Sequence, residues 1–483
     1  YAGAREKRHF QVQHSHHRPD TGGIPFQMVV AVSGCHVHFI GIGGISMSGL
    51  ADILFSKGFT ISGSDSKESE LTRNLISQGI KVFIGQKADN ITDDIDLVVY
   101  TAAIHNDNEE LAAARAKNIP VITRAELLGE IMTNYKTAVG VSGTHGKTTT
   151  TSMLTEILVN GSLDPTVSVG GILPSIHGNL RIGHSDNFVT EACEYTNSFL
   201  SFFPTIEIIL NIEEDHLDFF KDINDIRNSF GRYVRLLPEN GLLVINNDID
   251  NVEEIYKNAA CPVIRVGKTP DADYTADNIS FDEFGCPSYD LIRRGNTIGR
   301  IALSVPGIHN VYNSLAAIAV AIHLGIDIST IIDSLKGFHG TDRRFQKKGT
   351  VNGFTIIDDY AHHPAEINAT INSAMNYPHK KLVIIFQPHT YTRTKAFLKD
   401  FADVLKRADL VILPDIYAAR ETDTLGISSK DIADLINAAG TECIYEPDFD
   451  KICQIILDRC QKGDLVITMG AGNVVDIADR LTR

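Results

Sequence analysis

The chain contains 483 residues, of which 43% are hydrophobic and 22% charged, and its formal net charge at pH 7 is −16. The length suggests two to four domains, and the acidic balance argues against a nucleic-acid partner, because phosphate backbones attract basic surfaces. No uncharged apolar run reaches the roughly 18 residues that indicate a membrane span, and the seven cysteines, which form no CxxC pair, are typical of a cytoplasmic protein with reduced thiols.

Residues 1–27 differ from the rest of the chain. They include four histidines and several basic residues but show little apolar periodicity. We expect a leader that is disordered or left over from cloning, with Met28 as a plausible true start.

Residues 28–133 are predicted to form a Rossmann-like domain, because short apolar strands alternate with helical segments. A strand at 36–40 leads through Gly41-Ile42-Gly43-Gly44 into a helix from about residue 46 to residue 57. Further strands are expected at 60–63, 82–84 and 97–100.

The turn Gly41–Gly44 resembles the dinucleotide fingerprint GxGxxG, with Ser46 in the sixth position and Asp65 at about the distance expected of a ribose-binding acid. A glycine turn at a helix N-terminus favours a bound diphosphate. A redox cofactor and a nucleotide-diphosphate substrate both satisfy this pattern, and a tight turn without a ligand is the third interpretation.

Residues 134–340 contain the most informative motif, Gly143-Thr144-His145-Gly146-Lys147-Thr148-Thr149. An apolar strand at 137–141 precedes it and a helical run at 152–158 follows it, which is the layout of a phosphate-binding loop. Lys147 can reach the β- and γ-phosphates of a nucleotide, and the Thr148 hydroxyl can ligate Mg²⁺. Val141 stands where the common form of this motif has its first glycine.

Two further strands of this domain end in acidic residues. The strand at 188–190 leads to Glu191, where a carboxylate beside a phosphate loop can hold Mg²⁺, whereas we expect Glu194 to be a solvated loop acid. The strand at 206–211 leads into a cluster of four acids with His216, which indicates a second cation or a histidine that positions phosphate. Farther along, Asn310 opens an alanine-rich helix, either as an adenine ligand or as a helix cap.

Residues 341–483 are predicted to form a third α/β domain, with strands at 354–358, 382–386, 410–413 and 465–469. The segments after the first two of these strands present His, Tyr and Arg side chains, a combination that suits anionic or amino-acid substrates. Arg393 can bind a carboxylate or a phosphate through two parallel hydrogen bonds. A zinc site at His362 and His363 is disfavoured, because no third ligand follows at a suitable spacing.

Together these motifs resemble those of the Mur ligases of bacterial cell-wall synthesis, from about residue 36 to residue 483. The resemblance rests on residues 38–49, 143–149, 358–364, 415–421 and 468–472. It implies a Rossmann-like N-terminal domain that binds a UDP-sugar, a P-loop central domain that binds ATP, and a Rossmann-like C-terminal domain that brings the amino acid and closes over the site.

The alanine-adding branch of this family is the nearest match, so the resemblance implies ligation of L-alanine to the lactyl carboxylate of UDP-N-acetylmuramate through an acyl phosphate, with ATP and Mg²⁺. We expect a cytoplasmic monomer or weak homodimer. A related ligase that joins a recycled murein peptide to the same sugar remains an alternative, as does a catalytically silent nucleotide-binding homologue. An NAD-dependent dehydrogenase would rest on the first glycine turn alone.

The resemblance also assigns roles to individual residues. The expected catalytic residues are Lys147 and His216, and the expected metal ligands are Thr148, Glu191 and His216. The expected ATP-binding residues are Gly143, Thr144, His145, Gly146, Lys147, Thr148, Thr149, Asn310, Arg343 and Asp358. The expected substrate-binding residues are Gly41, Gly43, Gly44, Ser64 and Asp65 on the UDP-sugar side and Tyr360, His362 and Arg393 on the amino-acid side. Thr390 departs from family members that carry arginine at this position.

Overall fold

The computed structural model describes residues 34–101, 104–216, 219–419 and 421–483. The predicted leader, residues 1–27, lies outside these ranges. Three α/β domains follow one another along the chain, each built on its own sheet, and the predicted fold class is therefore confirmed. Within the described ranges, no helix is both long and apolar enough to cross a membrane.

The first domain is built on a five-stranded parallel sheet. Its elements are β1 (His36–Ile40), α1 (Ile45–Ser56), β2 (Thr60–Asp65), α2 (Glu70–Ser77), β3 (Lys81–Ile84), β4 (Leu97–Tyr100), α3 (Glu109–Ala116), β5 (Val121–Thr123) and α4 (Arg124–Met132). The strand order is β3-β2-β1-β4-β5, so the direction of winding reverses between β1 and β4. Ligands of such sheets bind beside this reversal, at the carboxyl ends of the strands.

The second domain contains a ten-stranded sheet. Its elements are β6 (Thr137–Ser142), α5 (Lys147–Asn160), β7 (Thr166–Leu173), β8 (Gly178–Arg181), β9 (Asn187–Glu191), β10 (Ile206–Ile209), α6 (Ile223–Val234), β11 (Leu242–Asn246), α7 (Glu253–Tyr256), β12 (Val263–Val266), β13 (Tyr274–Phe281), β14 (Pro287–Arg293), β15 (Asn296–Ala302), α8 (His309–His323) and α9 (Ile328–Gly337).

The strand order of this sheet is β15-β14-β13-β12-β11-β10-β6-β9-β7-β8. Pairing is parallel from β7 through β13, whereas β8 at one edge and β14 and β15 at the other pair antiparallel. The central strands β6, β9, β10 and β11 are almost entirely buried, as expected of a parallel sheet covered on both faces. Their carboxyl ends meet at one edge and hold the phosphate loop.

The third domain contains a six-stranded sheet in the order β16-β17-β21-β18-β19-β20. Its elements are β16 (Gln346–Val351), β17 (Phe354–Asp359), α10 (Pro364–Met375), β18 (Leu382–Phe386), α11 (Tyr391–Ala396), α12 (Leu398–Leu405), β19 (Leu410–Leu413), α13 (Ser429–Ala438), β20 (Glu442–Tyr445), α14 (Phe449–Arg459), β21 (Leu465–Met469) and α15 (Val475–Thr482). The last strand, β21, is inserted between β17 and β18, so the loops after β17 and β18 diverge and leave a crevice.

One apolar core joins the first two domains. Leu128 on α4 belongs to the same buried cluster as Phe199 and Phe202 of the second domain. Gly129 lies at this contact, where a Cβ atom would be 1.9 Å from the backbone oxygen of Ser201. The absence of a side chain therefore lets α4 pack directly against the backbone of its neighbour.

The predicted domain boundaries at 133/134 and 340/341 remain proposals. The first falls between α4 and β6, and the second falls between α9 and β16.

Replacing Gly129 by alanine is expected to destabilise the protein by about 1–3 kcal/mol, the usual cost of overpacking a tight contact. Thermal unfolding of the full chain measures this effect. Gly337→Ala is the matched control, because a Cβ atom at that helical glycine meets no atom within 4 Å. Equal melting temperatures for the two variants would contradict the packing described above.

Candidate active site

The phosphate loop connects β6 to α5 through two glycines with left-handed backbone angles. Gly143 has φ 134° and Gly146 has φ 85°, and a Cβ atom on Gly146 would lie 2.6 Å from the Asn313 amide oxygen. The first helical hydrogen bond of α5 runs from the Thr150 N–H to the Gly146 oxygen. The N–H groups of residues 147–149 therefore have no acceptor in the described part of the chain and are available to phosphate oxygens.

The Lys147 ammonium lies at the centre of this loop, and its side chain is partly buried, with 16% exposed. It donates to the backbone oxygens of Gly143 at 2.5 Å and Thr144 at 3.2 Å, and it contacts the Glu194 carboxylate at 3.1 and 3.3 Å. Burial alone would lower the pKa of Lys147, but the Glu194 carboxylate outweighs it and raises that pKa. The side chain of Glu194 is 3% exposed, so our prediction of a solvated loop acid at this position is wrong.

The three predicted metal ligands come from neighbouring strand ends. The Glu191 carboxylate closes β9 and accepts the Gly170 N–H at 2.5 Å through one oxygen. The buried Thr148 lies in the first turn of α5. The His216 Nε2 atom is 3.8 Å from the Glu194 carboxylate, and burial lowers the pKa of His216 despite its acidic neighbours, which leaves the imidazole neutral at pH 7.

Asp215 links the second domain to the third. One carboxylate oxygen accepts the Arg393 guanidinium N–H at 3.0 Å and the His216 backbone N–H at 2.7 Å. Burial alone would raise the pKa of Asp215, but the charge of Arg393 outweighs burial and holds it well below its ordinary value. The ion pair is well shielded, because the side chains of Asp215 and Arg393 are 8% and 11% exposed.

His145 of the phosphate loop forms a second link between these domains. Its Nε2 atom is 3.4 Å from a Glu213 oxygen, and its Nδ1 atom is 3.3 Å from a Glu366 oxygen on α10. Burial opposes a charge on this ring, but the two carboxylates raise the pKa of His145 to about 9. The imidazole is therefore a cation at neutral pH, and it lines the cavity beside the phosphate loop.

A cavity of about 230 Å³ opens beside the phosphate loop, between the second and third domains. Side chains and backbone from both domains line it, among them His145, Gly146, Thr149, Asn310, Arg344 and Asp359. Asn310 is the second residue of α8, whereas the N-cap of that helix is Ile308, so the helix-cap interpretation is wrong. Its amide donates to the Pro306 oxygen at 2.8 Å and accepts from Asn313 at 3.0 Å.

Arg343 and Asp358, both predicted to bind ATP, bind each other. The Arg343 Nε atom donates to Asp358 at 3.1 Å and its Nη2 atom donates to the Gly470 oxygen at 2.7 Å. Asp358 is fully buried and also accepts from Thr468 at 2.6 Å. The neighbouring residues Arg344 and Asp359 line the cavity instead, and sequence reasoning did not single them out.

Three predicted amino-acid-side residues lie together at the strand ends of the third domain. The rings of Tyr360 and His362 are 5.4 Å apart, and His362 is 5.9 Å from His389, which Arg393 contacts at 3.4 Å. The His362 Nδ1 atom lies 3.0 Å from the Tyr360 carbonyl oxygen. Because a carbonyl can only accept, Nδ1 carries the proton, and the free Nε2 lone pair makes the ring a base.

The five predicted UDP-sugar-side residues also lie together, at the end of β1. The backbone oxygen of Ser64 accepts hydrogen bonds from the N–H groups of Gly41 and Ile42 at 2.8 and 2.9 Å. The Asp65 carboxylate accepts the Gly43 N–H at 2.9 Å, and a Cβ atom on Gly43 would lie 2.9 Å from that carboxylate. Asp65 thus fixes the shape of the turn, whereas the fingerprint motif predicts a role in binding ribose.

Comparison with known proteins gives matches along almost the entire chain. Residues 36–136 match the family described as "Mur ligase family, catalytic domain", residues 141–321 match the Mur ligase middle domain, and residues 343–472 match "Mur ligase, glutamate ligase domain". The UDP-N-acetylmuramate–L-alanine ligase of Agathobacter rectalis is 60% identical over 93% of this chain and 98% of its own length.

Two solved structures show the same arrangement of domains. The UDP-N-acetylmuramate–alanine ligase of Thermotoga maritima superimposes with a TM-score of 0.78 and 31% identity, over 92% of this chain and 98% of that one. A murein peptide ligase from Psychrobacter arcticus gives a TM-score of 0.70 and 25% identity, over 93% of this chain and 98% of that one.

The charge on His145 predicts a pH dependence of stability. Its folded-state pKa, about 9, lies above the ordinary value of about 6.5, so its contribution is complete below about pH 6.5 and disappears as the pH rises through about 9. We expect His145→Asn to lower the unfolding temperature most at pH 6 and little at pH 10. A penalty that is constant or grows over this range would contradict a charged His145.

Proposed function

Since the chain belongs to the Mur ligase family, we propose that it joins L-alanine to the lactyl carboxylate of UDP-N-acetylmuramate at the expense of ATP, in the synthesis of peptidoglycan precursors. This proposal depends mainly on one observation: side chains of the third domain contact the phosphate loop and the neighbouring Asp215. Arg393 contacts Asp215 at 3.0 Å and Glu366 lies 3.3 Å from His145, so a phosphoryl group and an amine can react in one cleft.

The proposed reaction has two steps. The lactyl carboxylate attacks the γ-phosphorus of ATP, ADP leaves, and an acyl phosphate forms. The amine of L-alanine then attacks the acyl carbon, and the tetrahedral adduct expels inorganic phosphate to give the amide. Both the attacking carboxylate and the triphosphate are anions, so the site must stabilise negative charge before and during the first step.

Lys147 is the residue best placed for this task. Its ammonium lies within the loop, against the backbone oxygens of Gly143 and Thr144, and the N–H groups of residues 147–149 have no acceptor among the described residues. Side chain and backbone thus both offer positive charge at this loop. His145, which the neighbouring carboxylates keep protonated, adds a second positive charge on the side of the loop that faces the third domain.

Mg²⁺ fits the residues present. No cluster of three or more His, Cys, Asp or Glu in the described residues would cage a metal ion, but Mg²⁺ commonly takes one or two protein ligands together with waters and substrate phosphates. Thr148 and Glu191 would hold one ion on the nucleotide phosphates, and the neutral His216 would lie near a second. The ions would supply neutralisation of the charge that develops on the transferred phosphoryl group.

The amine also has a candidate base. L-Alanine is an ammonium at neutral pH and must lose a proton before it attacks. Burial lowers the pKa of His362, and its Nε2 atom is the unprotonated nitrogen of the ring. We infer that His362 receives this proton while Arg393 binds the alanine carboxylate.

The cellular setting is part of the proposal. The seven cysteines are all free thiols in the structure, which suits the reducing cytoplasm, where nucleotide substrates are available.

Phosphate release from ATP tests the proposed function. The protein would be incubated with Mg²⁺ and UDP-N-acetylmuramate, with and without L-alanine, and the product weighed by mass spectrometry. We expect release that needs both substrates and a product heavier by one alanine residue. Release only with a murein peptide would establish the alternative ligase activity, and no release with either acceptor would leave a silent nucleotide-binding protein.

Replacing Lys147 by alanine is expected to lower kcat about 10²–10³-fold, because it removes the cation at the reacting phosphoryl group. Steady-state kinetics with saturating ATP measures the loss. Near-normal turnover in this variant would show that Lys147 has no catalytic role.

Two further variants keep that experiment interpretable. Lys147→Ala leaves the buried Glu194 without its partner, so the double variant Lys147→Ala/Glu194→Gln, which removes both charges, separates misfolding from lost catalysis. Lys136→Ala is the matched control in the same domain, since the Lys136 side chain is 85% exposed and pairs with Asp186 on the surface.

A further inference from the structure

Arg124 lies at the junction of the first two domains and takes no part in the reaction described above. It is the first residue of α4, and its Nη1 atom donates to the Ser46 hydroxyl in the first turn of α1 at 3.0 Å. The side chain is partly buried, yet among the described residues no carboxylate forms an ion pair with it. A partly buried guanidinium without a carboxylate partner has unused donors for an anion, which points to an anion supplied by a ligand.

The glycine turn beside Ser46 has few donors of its own to offer. The N–H groups of Gly41 and Ile42 donate to the Ser64 oxygen, that of Gly43 donates to Asp65, and that of Gly44 donates to the Gly41 oxygen at 3.2 Å. At this turn, the N–H groups that have no acceptor among the described residues are those of the first turn of α1, residues 45–47. A diphosphate at this turn therefore meets one helix end and the negative charge of Asp65.

Comparison with the phosphate loop of the second domain shows that the glycine turn lacks a positive side chain of its own. There, too, a helix begins with free N–H groups, but Lys147 adds a full positive charge from within the loop. The turn Gly41–Gly44 and the first turn of α1 contain no basic residue. Arg124, which reaches this turn from α4, is the basic side chain that contacts it.

The charges of Lys147 and Arg124 both lower the pKa of one thiol, that of Cys193, although burial and Glu194 raise it overall to about 11. Cys193 is therefore neutral at pH 7. A substrate that carries a diphosphate at one end and a carboxylate at the other would extend from Arg124 towards Lys147.

We propose that Arg124 binds the diphosphate of the UDP-sugar substrate, from the side of the glycine turn that faces the second domain. The inference rests on the proposed function, since it takes the UDP-sugar as the ligand. The diphosphate is favoured over the lactyl carboxylate because Arg124 contacts Ser46, in the same helical turn as the free N–H groups, whereas the carboxylate must reach the phosphoryl group held at Lys147.

Binding of UMP and UDP, measured by calorimetry on the full chain, tests this role without any turnover. The wild type should bind UDP more tightly than UMP because of the second phosphate. In Arg124→Gln we expect UDP affinity to fall about 10- to 100-fold and UMP affinity to fall less, so that the preference for UDP collapses. Arg124→Lys should recover part of the loss, since it restores the charge but not the geometry of the guanidinium.

Arg115→Gln is the matched control, because Arg115 is an exposed arginine on α3 of the same domain. ATP affinity and the unfolding temperature should be unchanged in the Arg124 variants, which excludes misfolding as the cause. An unchanged UDP preference in Arg124→Gln would overturn the assignment. Loss of affinity for UDP-N-acetylmuramate alone, with UDP binding intact, would also overturn it and would place the arginine at the lactyl carboxylate. A wild-type protein that binds neither UDP nor UDP-N-acetylmuramate would refute the proposed function itself.

Discussion

The constraint on which the site depends is the set of hydrogen bonds that hold the partly buried Lys147 ammonium. Three acceptors already surround it: the backbone oxygens of Gly143 and Thr144 and the Glu194 carboxylate. An ammonium has three donors, so a phosphate oxygen can bind only by replacing or sharing one of these contacts. The same contacts hold the lysine in place before the nucleotide arrives, which reduces the ordering that binding would otherwise require. Glu194 thus keeps the lysine charged and positioned, and the arriving phosphate competes with it.

The surroundings of this lysine are acidic, which restricts the nucleotide that can bind. Glu191 and Glu194 act on Lys147, Glu213 and Glu366 act on His145, and Asp215 pairs with Arg393 of the third domain. A bare triphosphate would be repelled by these carboxylates at short range. A triphosphate that carries divalent cations would bring its own neutralisation, and under the proposed function Glu191 would then become a ligand. The acidic residues thus suit the proposed metal–nucleotide complex better than a free nucleotide.

Much of the fold follows from the sequence, because buried parallel strands are continuous apolar runs. The strands at 36–40, 97–100, 382–386, 410–413 and 465–469 have the predicted bounds. The antiparallel edge strands β13 to β15 were not predicted, since their exposed residues weaken the apolar pattern. In the candidate site, too, some features were predicted from the sequence and others were not. Strand ends placed Lys147, Glu191 and His216 near one another, but the prediction of a solvated Glu194 is wrong. Glu194 lies in the irregular segment after β9, where Thr196 and Asn197 have φ of 55° and 58°, and no strand or helix period predicts burial there.

The links between the second and third domains make the two halves of the reaction dependent on each other. Glu366 pairs with His145 of the phosphate loop, and the same carboxylate accepts the backbone N–H of His362 at 3.0 Å. Asp215 pairs with Arg393 and also accepts the backbone N–H of His216. In each case one carboxylate holds a residue of the proposed phosphoryl site and a residue of the proposed amine site. Separation of the third domain from the second would break both links, so the proposed amine site and the proposed phosphoryl site would be complete only together. A ligase gains from this coupling, because an acyl phosphate that forms before the amine site is assembled would be exposed to water.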